Sequence, residues 1–168
     1  DLNQTALWDA LMEAGTEFGI RPVGVLALHA MRMEKGYGGW GLELTSDYTP
    51  YEAGLGFLVK DKTVDYIGKS ALAELKGKAT QNLCLFEIDS EDADAFGGEP
   101  VFFNGEIVGE VTSGSYGHCV GKSLALAYVR GDARTAKDGF EISVVGEKHN
   151  AKRLANPPYD PTGNLLRS

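Results

Sequence analysis

Near residue 79 the apolar residues change period, and that change limits the folds open to this chain. Beyond it come six short β-rich runs: 83–88 (LCLFEI), 101–103 (VFF), 106–111 (EIVGEV), 123–129 (SLALAYV), 140–145 (FEISVV) and 148–154 (KHNAKRL). Short strands separated by regular turns predict a small antiparallel barrel or sandwich. Asn104-Gly105 sits between two such runs and suits a type I′ hairpin, which needs positive φ at both central residues. Val145-Gly146-Glu147-Lys148 reads as a type II′ hairpin with glycine first.

Before residue 79 the period is helical. Residues 5–18 predict an amphipathic helix with Leu7, Leu11 and Ala14 on one face, capped by Thr5 and stopped by Gly19. Residues 23–34 predict a second helix, 57–67 a short strand and loop, and 69–76 one or two helical turns. Residues 77–82 (GKATQN) form a polar connector, and the tail 156–163 (NPPYDPTG) is turn-rich. The fold class expected is α+β.

The formal charge of −8 over 168 residues makes a poor non-specific nucleic-acid binder, because neutralising phosphates needs surplus Lys and Arg. It also argues against adsorption to an anionic membrane, and no apolar run approaches the roughly 20 residues that span a bilayer. The two cysteines, Cys84 and Cys119, lie far apart, which excludes a disulfide framework and fits a reducing compartment. The chain opens on Asp1 without a signal or transit segment. That favours the cytoplasm, or the mitochondrial matrix for a processed eukaryotic protein, and suggests a piece of something longer.

Several motifs that resemble catalytic ones fail on context. Gly36, Gly38 and Gly41 satisfy GxGxxG, but a helix precedes them and no helix start follows, so a tight glycine turn is the better reading. Gly117 to Ser123 is one residue short of a phosphate loop. Ser113 to Gly117 approaches GxSxG with Ser in the first position and no supporting Asp and His. The acidic run from Glu87 to Asp94 would put Phe96 and Phe103 at calcium-ligand positions. His29, His118 and His149 lie at no metal-ligand spacing. Cys119 beside His118 reads as a lone buried thiol, since neighbours in a strand face opposite ways.

A longer pattern is more specific. Arg32-Met33-Glu34-Lys35-Gly36, Trp40-Gly41, Thr45 to Pro50, Glu52 to Phe57 and Tyr66 to Leu72 resemble the later part of an aminomethyltransferase, the T-protein of the glycine cleavage system. Val108 to Gly114 and Lys122 to Val129 resemble its C-terminal barrel. RMEKGYGGWGLELTSDYTPYEAGLGF and the ending PPYDPTGNLLRS are similar to the dimethylglycine and sarcosine dehydrogenase branch.

The resemblance implies that residues 1–78 are the closing part of a folate-binding domain and 79–168 a small antiparallel β-barrel. It implies tetrahydrofolate as cofactor and partner. FAD would sit in an N-terminal oxidase domain outside this sequence, and the family's catalytic aspartate in the earlier half of the folate-binding domain, also outside it. No catalytic residue is therefore expected here. Glu34 is expected to bind the pterin ring, whose adjacent N–H and NH₂ suit a bidentate carboxylate. Tyr37 and Trp40 are expected as aromatic walls, and Arg32 as a channel-lining cation. Lys60 and Lys62 lie near the family's folate-side basic residue. Lys122 is expected as barrel-surface charge, Tyr116 as turn packing, and His29 stands where T-proteins usually have an acid. The alternative is a non-catalytic folate-binding or interaction subunit that pairs with a separate chain.

Overall fold

The computed structural model describes residues 3–59 and 64–167. Six strands close into one antiparallel barrel: β1 (Gln81–Ile88), β2 (Pro100–Phe103), β3 (Glu106–Gly117), β4 (Lys122–Arg130), β5 (Phe140–Val144) and β6 (Glu147–Leu154). Their order around the barrel is β1-β4-β3-β2-β5-β6. The expected barrel is therefore present, and all six β-rich runs supply its strands. Closure matters because a lone sheet of short strands would leave two unpaired edges.

Alternation along the strands fills two separate cores. In β1, Cys84, Phe86 and Ile88 point into the barrel, where they meet Ala125, Ala127 and Val129 of β4 and Phe140, Ile142 and Val144 of β5. Phe86 and Phe140 meet edge to face, with ring centroids 5.1 Å apart. Small alanines on β4 make room for those rings. The other face of β1 and β4 presents Leu85, Leu124 and Leu126 outward, where Met33 covers them. β4 is thus buried on both faces along its interior, which explains its unbroken apolar run.

The first half lies against that outer face. α1 (Gln4–Gly15) ends in a short 3-10 turn that Gly19 stops in the left-handed conformation, with φ 68. The N-cap position is held by Asn3, two residues before the expected Thr5, and no side chain caps it. The expected apolar face forms, but Leu7, Trp8 and Leu11 are all exposed among the described residues. α2 (Val25–Glu34) buries Ala30, Met33 and Glu34, and α3 is Lys69–Leu75. The strand expected within 57–67 is not found among the described residues: Gly56–Leu58 form a 3-10 turn instead. A closed barrel offers no free edge for such a strand to join.

Two hairpins test the turn chemistry. Asn104 and Gly105 have φ 53 and 83, the type I′ signature expected of them. At the other hairpin Val144 pairs with Glu147, so Val145 and Gly146 are the central residues, with φ 51 and 89. This corrects the type II′ expectation: the turn is type I′ and lies one residue earlier. The register of β5 and β6 wins over glycine placement, because a one-residue slip would turn Val144 out of the core.

That register forces a β-branched residue into the left-handed region, where its Cβ crowds the carbonyl that follows. Replacing exposed Val145 by Asn should stabilise the chain by about 1 kcal/mol. The measurement is a urea melt, with a higher midpoint and an unchanged slope.

Candidate functional site

Three carboxylates of the first half are buried, and each one reaches into the barrel or its entry. Glu34, the last residue of α2, is 2% exposed. Its Oε1 accepts hydrogen bonds from the backbone N–H of Cys119 at 2.6 Å and Val120 at 3.3 Å, in the turn between β3 and β4. Gly117 is required there, since a Cβ would stand 2.9 Å from Glu34 Cγ. The Glu34 carbonyl accepts from the Tyr159 N–H. Lys35 Nζ donates to both the carbonyl and the carboxylate of Asp160, so the tail is clasped to the end of α2.

Glu43 is completely buried. Its Oε2 accepts from Arg32 Nη1 at 3.1 Å and from the Gly39 N–H at 2.7 Å. Its Oε1 accepts from the hydroxyls of Thr112 at 2.7 Å and Ser113 at 2.5 Å. Consecutive strand residues normally face opposite ways. Here a bulge leaves Thr112 unpaired between Val111, opposite Ala127, and Ser113, opposite Leu126, so both hydroxyls serve one oxygen. Burial alone would push the Glu43 carboxyl up. Hydrogen bonds from Ser113, the Gly39 amide and Thr112, with the charge of Arg32, outweigh it and hold the group below the usual range.

Glu52 lies in the turn Thr49-Pro50-Tyr51-Glu52, whose first and last residues bond each other as in a capping box. Its Oε2 accepts from the Thr49 N–H and hydroxyl, while its own N–H donates to Thr49 Oγ1. Its Oε1 accepts from the N–H and hydroxyl of Thr80, just before β1. Burial again pushes the carboxyl up, and the Thr49 and Thr80 donors bring it below the usual range.

The residues singled out from sequence are distributed around these clasps. Arg32 donates from Nη1 to Tyr37 O as well as Glu43, and from Nη2 to Ser113 Oγ and His29 Nδ1. Its four Nη hydrogens are thereby spent within the protein. With Nδ1 accepting, His29 carries its proton on Nε2 and donates to Gly114 O. Tyr37 is half exposed and lines an open cleft of about 1320 Å³ with Gly36, Leu44, Leu85 and Arg153. Trp40 lies outside that lining and is 89% exposed. Lys122 pairs with Glu87 at the barrel surface, and Tyr116 packs edge-on against His118. Lys60 and Lys62 lie outside the described residues.

Cys119 corrects an expectation. It sits in the turn after β3, not in a strand, and is exposed, whereas Cys84 is the buried thiol. The Glu34 carboxylate beside it, through its hydrogen bond and its charge, pushes the Cys119 thiol up. Among the described residues no group of three His, Cys, Asp or Glu side chains gathers to hold a metal ion.

Sequence reasoning passed over Glu43 and Glu52. The T-x-x-E spacing of a capping box was available for Glu52. Glu43 has no such signal: Arg32 and Gly39 are near it in sequence but make no motif with it, and its other donors come from a bulge some 70 residues on.

Both carboxyls bind protons less readily folded than unfolded. Their contribution is complete above the unfolded pKa and is lost as pH falls through the folded value. Stability in urea should therefore hold from pH 7 to about 5 and fall below roughly pH 4.5. Glu52→Gln should be less stable at pH 7 and show a shallower acid decline. An equal acid slope in variant and parent would remove Glu52 from this account.

Comparison with known proteins follows the same two parts. A model of the glycine cleavage T-protein C-terminal barrel domain matches residues 81–160, and one of the GCVT N-terminal domain matches 1–63. Mitochondrial dimethylglycine dehydrogenase of Homo sapiens is 39% identical over 169 residues, which is 98% of this chain and 20% of that protein. The aminomethyltransferase of Symbiobacterium thermophilum is 39% identical over 92% of this chain and 41% of its own length. The formaldehyde-forming 4-methylaminobutanoate oxidase of Paenarthrobacter nicotinovorans is 37% identical over 95% of this chain and 19% of its own length. The solved aminomethyltransferase T of the Bartonella henselae glycine cleavage system shares the fold, with a TM-score of 0.79 at 23% identity over 94% of this chain and 44% of that one. The chain thus spans between about a fifth and two fifths of the curated relatives it matches.

Proposed function

Because this chain belongs to the aminomethyltransferase (glycine cleavage T-protein) family, we propose that it is the C-terminal portion of a longer, tetrahydrofolate-dependent enzyme. The carrying observation is coverage: two family models match in succession, while the chain spans 20% of a dimethylglycine dehydrogenase. The whole enzyme would move a one-carbon unit from an N-methylated amine, such as dimethylglycine or sarcosine, onto tetrahydrofolate. FAD and the catalytic aspartate would belong to the preceding portion. Residues 1–78 would close the folate-binding domain, and 79–168 would form the barrel beside it.

Tetrahydrofolate would supply the nitrogen nucleophiles that accept the carbon. This chain would bind and orient it and keep water away. The residues present suit that task. Oε1 of Glu34 takes the Cys119 and Val120 amides, so a pterin edge would be read by Oε2; Glu34 itself does not line the cleft that Tyr37 lines. Tyr37 offers a flat wall two residues beyond Lys35, on the cleft. Trp40 is exposed and would meet the ligand only from the side that the preceding portion completes.

Two measurements test this reading. The intact mass of the polypeptide in its native cell should lie well above 18.0 kDa. A mass near that value would favour the alternative, a folate-binding or interaction subunit working beside a separate chain. In the intact polypeptide, Glu34→Gln keeps one carbonyl oxygen for the two amides but loses the charge. It should weaken tetrahydrofolate binding about 10- to 100-fold by titration calorimetry. Unchanged affinity would take Glu34 out of the pterin site.

A further inference from the structure

We propose that Glu43 is a positioning residue for the segment 34–40, holding Glu34 and Tyr37 in register with the barrel through Arg32 and the Gly39 amide. The ligand in this proposal rests on the folate reading above; the geometry does not.

Glu43 touches neither Tyr37's cleft nor solvent. Both of its oxygens are filled, each by two donors. A buried ion pair of this kind adds little net stability over apolar packing, and its best-attested use is to fix register. Its partners enclose the candidate ligand residues. Arg32 lies two residues before Glu34, and the Tyr37 carbonyl that Arg32 holds lies three residues after it. Gly39 closes the enclosure at 2.7 Å from Oε2. Space there is limited: a Cβ on Gly39 would stand 3.3 Å from Leu42 Cδ1 and in ordinary contact, at 3.6 Å, with Arg32 Cζ and Glu43 Oε2.

The barrel end of the network is equally specific. Only the extra residue at Thr112 allows two successive hydroxyls to reach Oε1. The bulge thus sets the position of Glu43, Glu43 sets Arg32 and Gly39, and these set the stretch between them. The His29 ring, which bridges Arg32 Nη2 and Gly114 O, locks the guanidinium from its other side.

The test separates positioning from general stability by pairing Glu43→Gln with Glu52→Gln, a buried carboxylate that clasps a different place. The first readout needs no ligand: alkylation of Cys119 by iodoacetamide at pH 8, with Cys84 buried and slow. The Cys119 amide donates to Glu34 and the Glu34 carboxylate holds the Cys119 thiol pKa up, so displacement of Glu34 should show there. Glu43→Gln should react at least about threefold faster than the parent chain, and Glu52→Gln at the parent rate. The second readout is tetrahydrofolate affinity of the intact polypeptide, about tenfold weaker in Glu43→Gln and unchanged in Glu52→Gln.

Should Glu43→Gln not fold, Thr112→Val removes a single donor and should move both readouts the same way by less. Equal shifts in Glu43→Gln and Glu52→Gln, scaling with their loss of stability in urea, would overturn the proposal, as would no shift in either. If the unmodified polypeptide binds no tetrahydrofolate while the Cys119 rate still responds to Glu43 alone, the folate reading fails and the positioning role stands.

Discussion

Buried carboxylates reaching across to the barrel anchor the first half on it. A closed barrel has no free edge, so the preceding segment cannot attach by adding a strand. Apolar contact provides one patch, where Met33 covers Leu85, Leu124 and Leu126. Glu34 on the β3–β4 turn, Glu43 on the β3 bulge and Glu52 at the entry to β1 add three buried polar anchors, beside the stack of Tyr48 on Tyr128 and the His29 and Arg32 bonds to β3. Three separated anchor points fix an orientation, which a single greasy contact would not. Each anchor is directional, because a carboxylate oxygen accepts along defined lone-pair directions.

The arrangement puts the candidate ligand residues between rigid elements. Glu34 ends a helix whose buried side faces the barrel, and Tyr37 follows on a turn whose Lys35, Gly36 and Tyr37 amides bond back to α2 and whose Tyr37 carbonyl accepts from Arg32. A group presented this way loses little freedom on binding. Two family models match the chain in succession, and it spans 20% of the length of a dimethylglycine dehydrogenase.

The fold was legible in the sequence where local chemistry determines it. Asn104-Gly105 announced its turn because positive φ at both positions suits those residues. SLALAYV announced a strand, though its burial on both sides was seen only in the fold. Val145 was misread because the register of its strands, a non-local matter, overrides what glycine placement suggests. The exposed side of α1 was unreadable for a related reason: a pattern says that a face is apolar, and never what covers it. Glu34, Tyr37, Trp40 and Arg32 were singled out only by resemblance to a family; Glu34 is buried, Arg32 is bonded within the protein, Tyr37 lines the cleft and Trp40 is exposed. Glu43 was not singled out, since nothing local distinguishes it from a surface acid between two leucines. Cys119 was placed in a strand when it lies in the turn that ends one.

The double burial of β4 has a consequence for motion. Its backbone amides bond to β1 on one side and β3 on the other, and both of its faces are covered. No local opening releases them without breaking the barrel and lifting Met33 from its outer surface. Proton exchange at those amides should accordingly track unfolding of the whole chain, while the amides of α1, which buries no residue, exchange by fraying alone. One strand therefore serves as an internal clock for the entire molecule, with a separate and faster one at its first helix.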